Sequence, residues 1–155
     1  MRKSILLGLL CLFTFVGTTF AQKVKPVEYG GSVNLVRELP DNVIVVRSLG
    51  YGKNEATARE DAEIRVMRAV MYVGFPKYSK FTSEADAEAK HAEYIDNFFD
   101  GKRYKDFIVG VESVGDLDKV KGQKVKQMPF DITVNHKALR QSLKENGIGR
   151  LGFGR

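Results

Sequence analysis

The chain has 155 residues, a formal net charge of +6 and a single cysteine. This length suits one domain that buries a sizeable core without disulfides or structural metal. The excess of basic residues is too small for a dedicated nucleic-acid binder, so nucleic acid is not expected as a partner. One cysteine also excludes a disulfide framework and a site built from several thiolates.

A secretory signal peptide is predicted over residues 1–21. Arg2 and Lys3 form a positive n-region, and the apolar run that follows is too short to span a membrane. Cleavage is expected between Ala21 and Gln22, which leaves 134 residues with 23 basic and 19 acidic side chains, a net charge of +4. We therefore expect an exported protein with no transmembrane segment after signal removal.

The only cysteine lies within the predicted signal. Lipid attachment requires a small residue before the acylated cysteine, and Leu10 precedes Cys11. The mature protein is accordingly predicted to lack thiols and a lipid anchor, and to be periplasmic or secreted.

The mature chain divides into three parts. Residues 22–41 have no apolar period and predict an irregular lead-in, with a short extended piece at 33–38. Residues 42–148 carry the signals of a single α+β domain. The last residues, 149–155, are rich in glycine and predict a flexible tail, although their apolar side chains could dock on a partner.

The first half of the domain predicts a strand followed by a long helix. Residues 43–49 form an apolar, β-branched run typical of a central strand covered by a helix. Asn54 is a good N-cap for a helix over residues 55–73. The apolar stripe expected to face the sheet consists of Ala58, Ala62, Val66, Ala69, Val70 and Val73.

The opposite face of this helix is charged. Glu55 and Arg59, and likewise Asp61 and Arg65, are spaced four residues apart in the acid-first order that stabilises helices. These pairs are predicted to be solvated.

A second, alanine-rich helix is predicted from a cap at Ser83 to about Phe99, with Asp100 and Gly101 ending it. The residues expected to face the core are Ala85, Ala89, Ala92, Ile95 and Phe99.

Two strands and a short helix complete the domain. Strands are predicted over 107–114 and 124–134, with Pro129 marking an edge or a bulge because proline has no amide donor. Asn135 caps a helix that faces inward through Leu139 and Leu143. The predicted fold is α+β: a small mixed or antiparallel sheet of about three to four strands, packed by a long, an alanine-rich and a short C-terminal helix.

Two candidate sites emerge. Gly50, Gly52, Lys53 and Asn54 lie between a strand and a helix, where backbone amides can hold an anion. The spacing matches neither the P-loop nor the dinucleotide fingerprint, and a tight turn also accounts for the glycines. A small anionic-ligand-binding domain is therefore an alternative function.

The second candidate is a row of lysines that flanks the turn of the last predicted hairpin: Lys119, Lys121, Lys124 and Lys126. Such a row could contact anionic lipid, lipopolysaccharide or an acidic protein. Lysines also protect edge strands from pairing with other chains.

Catalytic signatures are sparse. His91 and His136 lie on different predicted helices without further ligands at metal spacing, so no metal or cofactor is implied. Gly-x-Ser-x-Gly is absent from the sequence. The carboxylates are expected on solvated helix faces, and we predict a non-enzyme, with an exported hydrolase using paired acids as the remaining alternative.

Residues 45–62 combine a strand, Gly-x-Gly and a helix with alanines four apart. This pattern resembles the twenty-kilodalton surface lipoprotein family and the N-terminal domain of the flagellar T-ring assembly protein. The stretch 98–108 is similar to segments of exported proteins of the same build. The resemblance implies an α+β module for envelope assembly, with other envelope proteins as partners and no catalytic residues to transfer.

Overall fold

The protein is described here by a computed structural model, which covers residues 25–27 and 30–149. Its fold is α+β, as predicted. The strands are β1 (Val33–Leu39), β2 (Val43–Gly52), β3 (Gly74–Phe75), β4 (Tyr78–Ser79), β5 (Ile108–Ser113), β6 (Asp118–Lys119) and β7 (Lys126–Asn135). The helices are α1 (Glu55–Arg68), α2 (Glu84–Phe99) and α3 (His136–Glu145). A π-helical turn, Ala69–Val73, follows α1, and short 3-10 helices span Pro40–Asn42 and Arg103–Phe107.

The main sheet has five strands and is antiparallel throughout. Its order is β1-β2-β7-β5, and β6 pairs with β7 beyond the end of β5. The long pair is β2 with β7, which runs without a register shift from Val43 opposite Asn135 to Gly52 opposite Lys126. Strands β3 and β4 form a separate small hairpin.

Strand β1 belongs to the sheet, which corrects the domain boundary. The sequence predicted an extended piece at 33–38, but it also placed residues 33–41 in the lead-in. Val33 lies opposite Ser48 and Leu39 opposite Val43, so all of β1 pairs with β2, and residues 49–52 of β2 extend beyond it. Its side chains are exposed or half-buried, as expected of an edge strand, and the apolar signal in the sequence is correspondingly weak.

Helix α1 covers one face of the two central strands. The hydrophobic core contains apolar residues of these strands and of the helices. Its fully buried strand residues include Ile44 and Val46 of β2 and Ile132 and Val134 of β7. Because side chains alternate across a strand, Arg47 lies on the opposite face, where its guanidinium donates to the Asp131 carboxylate at 2.6 and 2.8 Å. The hydrogen bond from Arg47 lowers the pKa of Asp131.

The predicted stripe of the first helix is confirmed at five of its six residues, and Val73 is the exception. Its side chain is 75% exposed. Val73 ends the π-helical turn, in which the chain winds more widely than in an α-helix, so a period of 3.6 residues no longer applies there. Met71, which lay off the predicted stripe, is fully buried in its place.

The second helix has the predicted ends but a different buried face. Ser83 accepts a hydrogen bond from the Asp86 amide at 3.1 Å and is the N-cap. The three alanines of the predicted stripe are exposed, whereas Ala87 is buried. The backbone of His91 is not helical, with φ −138° and ψ 31°, and this kink separates the two halves of the helix. One continuous period therefore could not describe both halves.

Pro129 lies neither on an edge nor in a bulge of the β2–β7 pair. It sits in the interior of β7, opposite Leu49. Its carbonyl accepts from the Val114 amide at 3.0 Å, so its nitrogen also points away from β2. Pro129 faces the gap where β7 changes partner from β5 to β6, and no ladder bond to β2 is lost there.

Candidate functional site

The two glycines of the first candidate site lie inside β2 rather than in a turn. A Cβ atom on Gly50 would be 1.8 Å from the Ala58 carbonyl oxygen, and one on Gly52 would be 2.2 Å from Thr57 Oγ1. Glycine is therefore required at both positions because α1 lies directly against the strand. Close packing accounts for the Gly-x-Gly pattern without a ligand.

The end of α1 beside these glycines is closed by its own side chains. Asn54 Oδ1 accepts from the Thr57 amide at 3.0 Å, and Thr57 Oγ1 accepts from the Asn54 amide at 3.2 Å. This capping box uses two amides that an anion at the helix end would need, and Glu55 adds a negative charge in the first turn. Anion binding at Gly50–Asn54 stays a prediction, and Lys53 is its exposed cationic residue.

Two acids of α1, Asp61 and Glu63, are buried, which corrects the prediction that the Asp61–Arg65 pair is solvated, whereas Glu55 and Arg59 are exposed as predicted. Asp61 is 6% exposed and Glu63 is 4% exposed. Asp61 accepts from the amides of Val27 at 2.7 Å and Tyr51 at 3.0 Å, and from Arg65 Nε at 2.7 Å. Asp61 thereby links α1 to the chain before β1 and to the part of β2 that has no β1 partner.

Glu63 is also buried, but its two cationic partners are exposed. Arg59 Nε donates to it at 3.0 Å and Lys105 Nζ lies 3.5 Å away. With Glu60, which pairs with Lys102 at 2.6 Å, Glu63 lines a cavity of about 440 Å³. Each carboxylate there pairs with at least one cation, and an exported hydrolase using paired acids stays a prediction.

A tyrosine hydroxyl is buried near these acids. Tyr104 is fully buried, and its hydroxyl has no hydrogen-bond partner among the described residues. Burial raises the pKa of Tyr104, and the Glu63 and Glu60 charges add to that effect. The tyrosine therefore stays neutral, and its ring packs with Phe98 and Phe99 in the core.

The four lysines of the second candidate site are brought together at the β6–β7 hairpin. Lys119 and Lys126 are directly opposite each other across the two strands. Lys121 and Lys124 lie in the connecting turn, which is closed by the Val120 amide donating to the Val125 carbonyl at 3.1 Å. No ion pair to these four side chains is formed within residues 25–27 and 30–149.

The fold also places the two candidate sites side by side. Gly52 is opposite Lys126, and Lys126 is opposite Lys119, so the three form one row across β2, β7 and β6. Neighbouring strands are about 4.8 Å apart, so the row is compact. Lys53 directly follows Gly52 and therefore lies next to the row. We call this end of the sheet, comprising Lys53, Lys119, Lys121, Lys124 and Lys126, the basic end.

Local sequence patterns did not predict the burial of the His136 side chain. It is 3% exposed, and its Nε2 has no hydrogen-bond partner in the described part of the chain. The ring lies edge-on to Tyr78 at 4.8 Å and stacks on Phe81 at 5.1 Å between centroids. Burial lowers the pKa of His136 to about 4, and the charge of Arg140 adds to the effect.

Some expectations fall outside the residues that the structure describes. The signal peptide, its cleavage site at Ala21 and Gln22, and the tail after Gly149 are among them. Within the described ranges, no three His, Cys, Asp or Glu side chains form a group that could hold a metal ion. In the same ranges, no helix has the length and apolarity to cross a membrane.

No protein-family model matches this chain, and no curated protein or solved structure is significantly similar to it. The resemblance to the envelope families stays a prediction from the sequence pattern. The function is therefore argued from the geometry of the domain.

Proposed function

We propose that this chain is an exported, non-enzymatic interaction module of the cell envelope that binds an acidic protein partner through the basic end of its sheet. The observation that carries the proposal is the row of lysines across β2, β7 and β6, which the β6–β7 hairpin extends into its turn. The predicted signal peptide supports the location, and the pattern over residues 45–62 supports a role in envelope assembly.

The arrangement of Lys119 and Lys126 supports binding of an anionic surface. Like charges directly opposite each other on two strands repel and destabilise the pair. Acidic side chains of a partner placed between them would relieve this repulsion. The protective role of edge lysines explains Lys119 on β6, but it does not require further lysines in the turn.

The composition of the hairpin favours a protein over a bilayer. Val120 and Val125, its apolar residues, are half-buried and not presented at the tip. Gly122 and Gln123 complete the turn between them. Segments that insert into a bilayer present apolar or aromatic side chains to it, and the tip has none.

The proposal is tested by crosslinking in intact cells, affinity purification and mass spectrometry of the proteins recovered. The test variant is K121Q/K124Q, and the matched control is K137Q/R140Q, which removes the same charge from helix α3. We expect the wild type and the control to recover a small set of envelope proteins. Loss of two peripheral charges should weaken capture by the test variant roughly tenfold.

Equal recovery from both variants would contradict the proposal, as would recovery of the free monomer alone from the wild type. Retention on anionic vesicles, lost in K121Q/K124Q, would replace the protein partner with a membrane. The alternative at Gly50–Asn54 is tested separately with K53Q. Gly52→Ala is unsuitable for that purpose, because its Cβ would be 2.5 Å from the Ala58 amide nitrogen and would disturb packing.

A further inference from the structure

A small cavity lies at the N-terminal end of α3, and β7, which begins at Lys126 of the basic end, leads to it. Its volume is about 130 Å³. The residues that line it come from the 3-10 helix after β1, the turn and strand of the β3–β4 hairpin, and α3: Asn42, Lys77, Tyr78, His136, Lys137 and Arg140.

The lining has an excess of positive charge. Lys77 pairs with Glu38 at 3.2 Å, and the Tyr78 hydroxyl donates to the same carboxylate at 3.2 Å. Lys137 and Arg140 have no ion-pair partner among the described residues. Two positive charges of the cavity are thus uncompensated.

The charge at the start of α3 is the reverse of that in the other helices. Helices α1 and α2 have acidic residues in the first turn, which suit the positive end of the helix dipole. The first turn of α3 has no acidic residue, and Lys137 lies within it. This arrangement is unfavourable for the isolated helix and favourable for an anion held at its end.

His136 is the independent observation that points to a ligand. It is almost completely buried, lines the cavity, and its Nε2 has no partner among the described residues. Buried polar side-chain atoms in folded proteins are nearly always hydrogen-bonded, so an unpartnered imidazole nitrogen on a residue that lines a cavity indicates a missing partner. The neutral ring can donate one N–H to an oxygen there.

We propose that this cavity binds a small doubly charged oxyanion of the phosphate class, held by His136, Lys137 and Arg140. The volume is well below the roughly 300 Å³ at which sites for larger organic ligands begin, so it accommodates a tetrahedral anion or a phosphomonoester end rather than a nucleotide. Two uncompensated cations match a dianion better than a carboxylate or chloride. The site is separate from the basic end and does not depend on the proposed function.

The test is calorimetric titration of the purified protein with inorganic phosphate and with sulfate, against sodium chloride of equal ionic strength. The wild type should bind phosphate with a dissociation constant in the millimolar range or below. K137Q/R140Q should bind roughly tenfold more weakly or not at all, because charge-assisted hydrogen bonds are lost. The control K121Q/K124Q, which removes equal charge from the basic end, should bind like the wild type.

A second variant, H136F, keeps a ring between Tyr78 and Phe81 and removes the imidazole nitrogens. It should bind phosphate several-fold more weakly while retaining the circular dichroism of the wild type. Vesicles containing phosphatidic acid distinguish the sources of the anion. Vesicle binding that K137Q/R140Q abolishes identifies a lipid headgroup, and binding of soluble phosphate alone identifies the free ion.

Absence of binding to the wild type at about 10 mM phosphate would overturn the proposal. Equal weakening by K137Q/R140Q and K121Q/K124Q would also overturn it, because it would show general attraction to a basic protein. Unchanged binding by H136F would remove His136 from the site. A failure of partner capture by the basic end leaves each of these outcomes unaffected.

Discussion

The β2–α1 junction and the β6–β7 hairpin are neighbours at one end of the sheet, yet their charged residues are in opposite environments. At the junction, Gly50 lets the helix lie against the strand and Asp61 is buried with three hydrogen-bond donors. At the hairpin, Lys119, Lys121 and Lys124 are exposed, Lys126 is half-buried, and none of the four has an ion pair in the described part of the chain. Charged residues thus stabilise the domain where a helix covers them, and they form a candidate binding surface where no helix covers them.

The largest effect is expected from Gly50→Ala. Its Cβ would lie 1.8 Å from the Ala58 carbonyl oxygen, so α1 must move away from β2. We expect a loss of more than about 3 kcal/mol in the free energy of unfolding, measured by urea denaturation.

The matched control is Gly110→Ala in β5. Its nearest neighbour would be Thr133 Oγ1 at 4.0 Å, so this change should be neutral or slightly stabilising. Equal stability of the two variants would show that α1 is not packed on β2 as described.

Asp61→Asn should be next in size. The substitution removes the negative charge that faces Arg65 and puts an NH₂ group among donors, so we expect a loss of about 3 kcal/mol. Asp86→Asn provides the comparison, because the Asp86–Lys90 pair has the same spacing and a similar length, 2.8 Å, but is exposed. That variant should lose less than about 1 kcal/mol. Similar losses in urea denaturation would mean that Asp61 is not buried in solution.

The third prediction concerns the pH dependence of stability, which the buried side chain of His136 determines. Its pKa is about 4 in the folded protein against an ordinary value of 6.5, so the unfolded chain binds more protons between these values. Stability is therefore full above pH 6.5 and falls as the pH is lowered toward 4, by on the order of 3 kcal/mol.

The measurement is urea denaturation between pH 7 and pH 4 in buffers free of phosphate and sulfate. H136F should lose this pH dependence over the same range, whereas H91Q should retain it. A wild type whose stability is constant between pH 6.5 and pH 4 would show that His136 is accessible to protons in the folded state.

The smallest effect on stability is expected at the hairpin. K121Q/K124Q should change the free energy of unfolding by no more than about 0.5 kcal/mol, because both side chains are solvated and unpaired among the described residues. A loss of several kcal/mol would show that the turn is part of the folded core and would remove the contrast with the junction.

Local signals in the sequence were accurate for most elements. The cap at Asn54, the cap at Ser83, the α1 stripe up to Val70 and the β2 run all depend on neighbours a few residues away, and the structure confirms them. The α+β class followed from the order of these elements. The grouping of the four lysines also followed, because a short hairpin brings its own flanks together.

Only the tertiary structure decided which polar groups are covered. Asp61 reaches the free edge of β2 and Pro129 faces the change of partner beside β7, and neither depends on adjacent sequence. The kink at His91 changed the buried face of α2, and the cavity at His136 assembles residues from three separate parts of the chain. Periodicity and capping report contacts within one element, whereas burial depends on the packing of distant elements, which a local pattern does not encode.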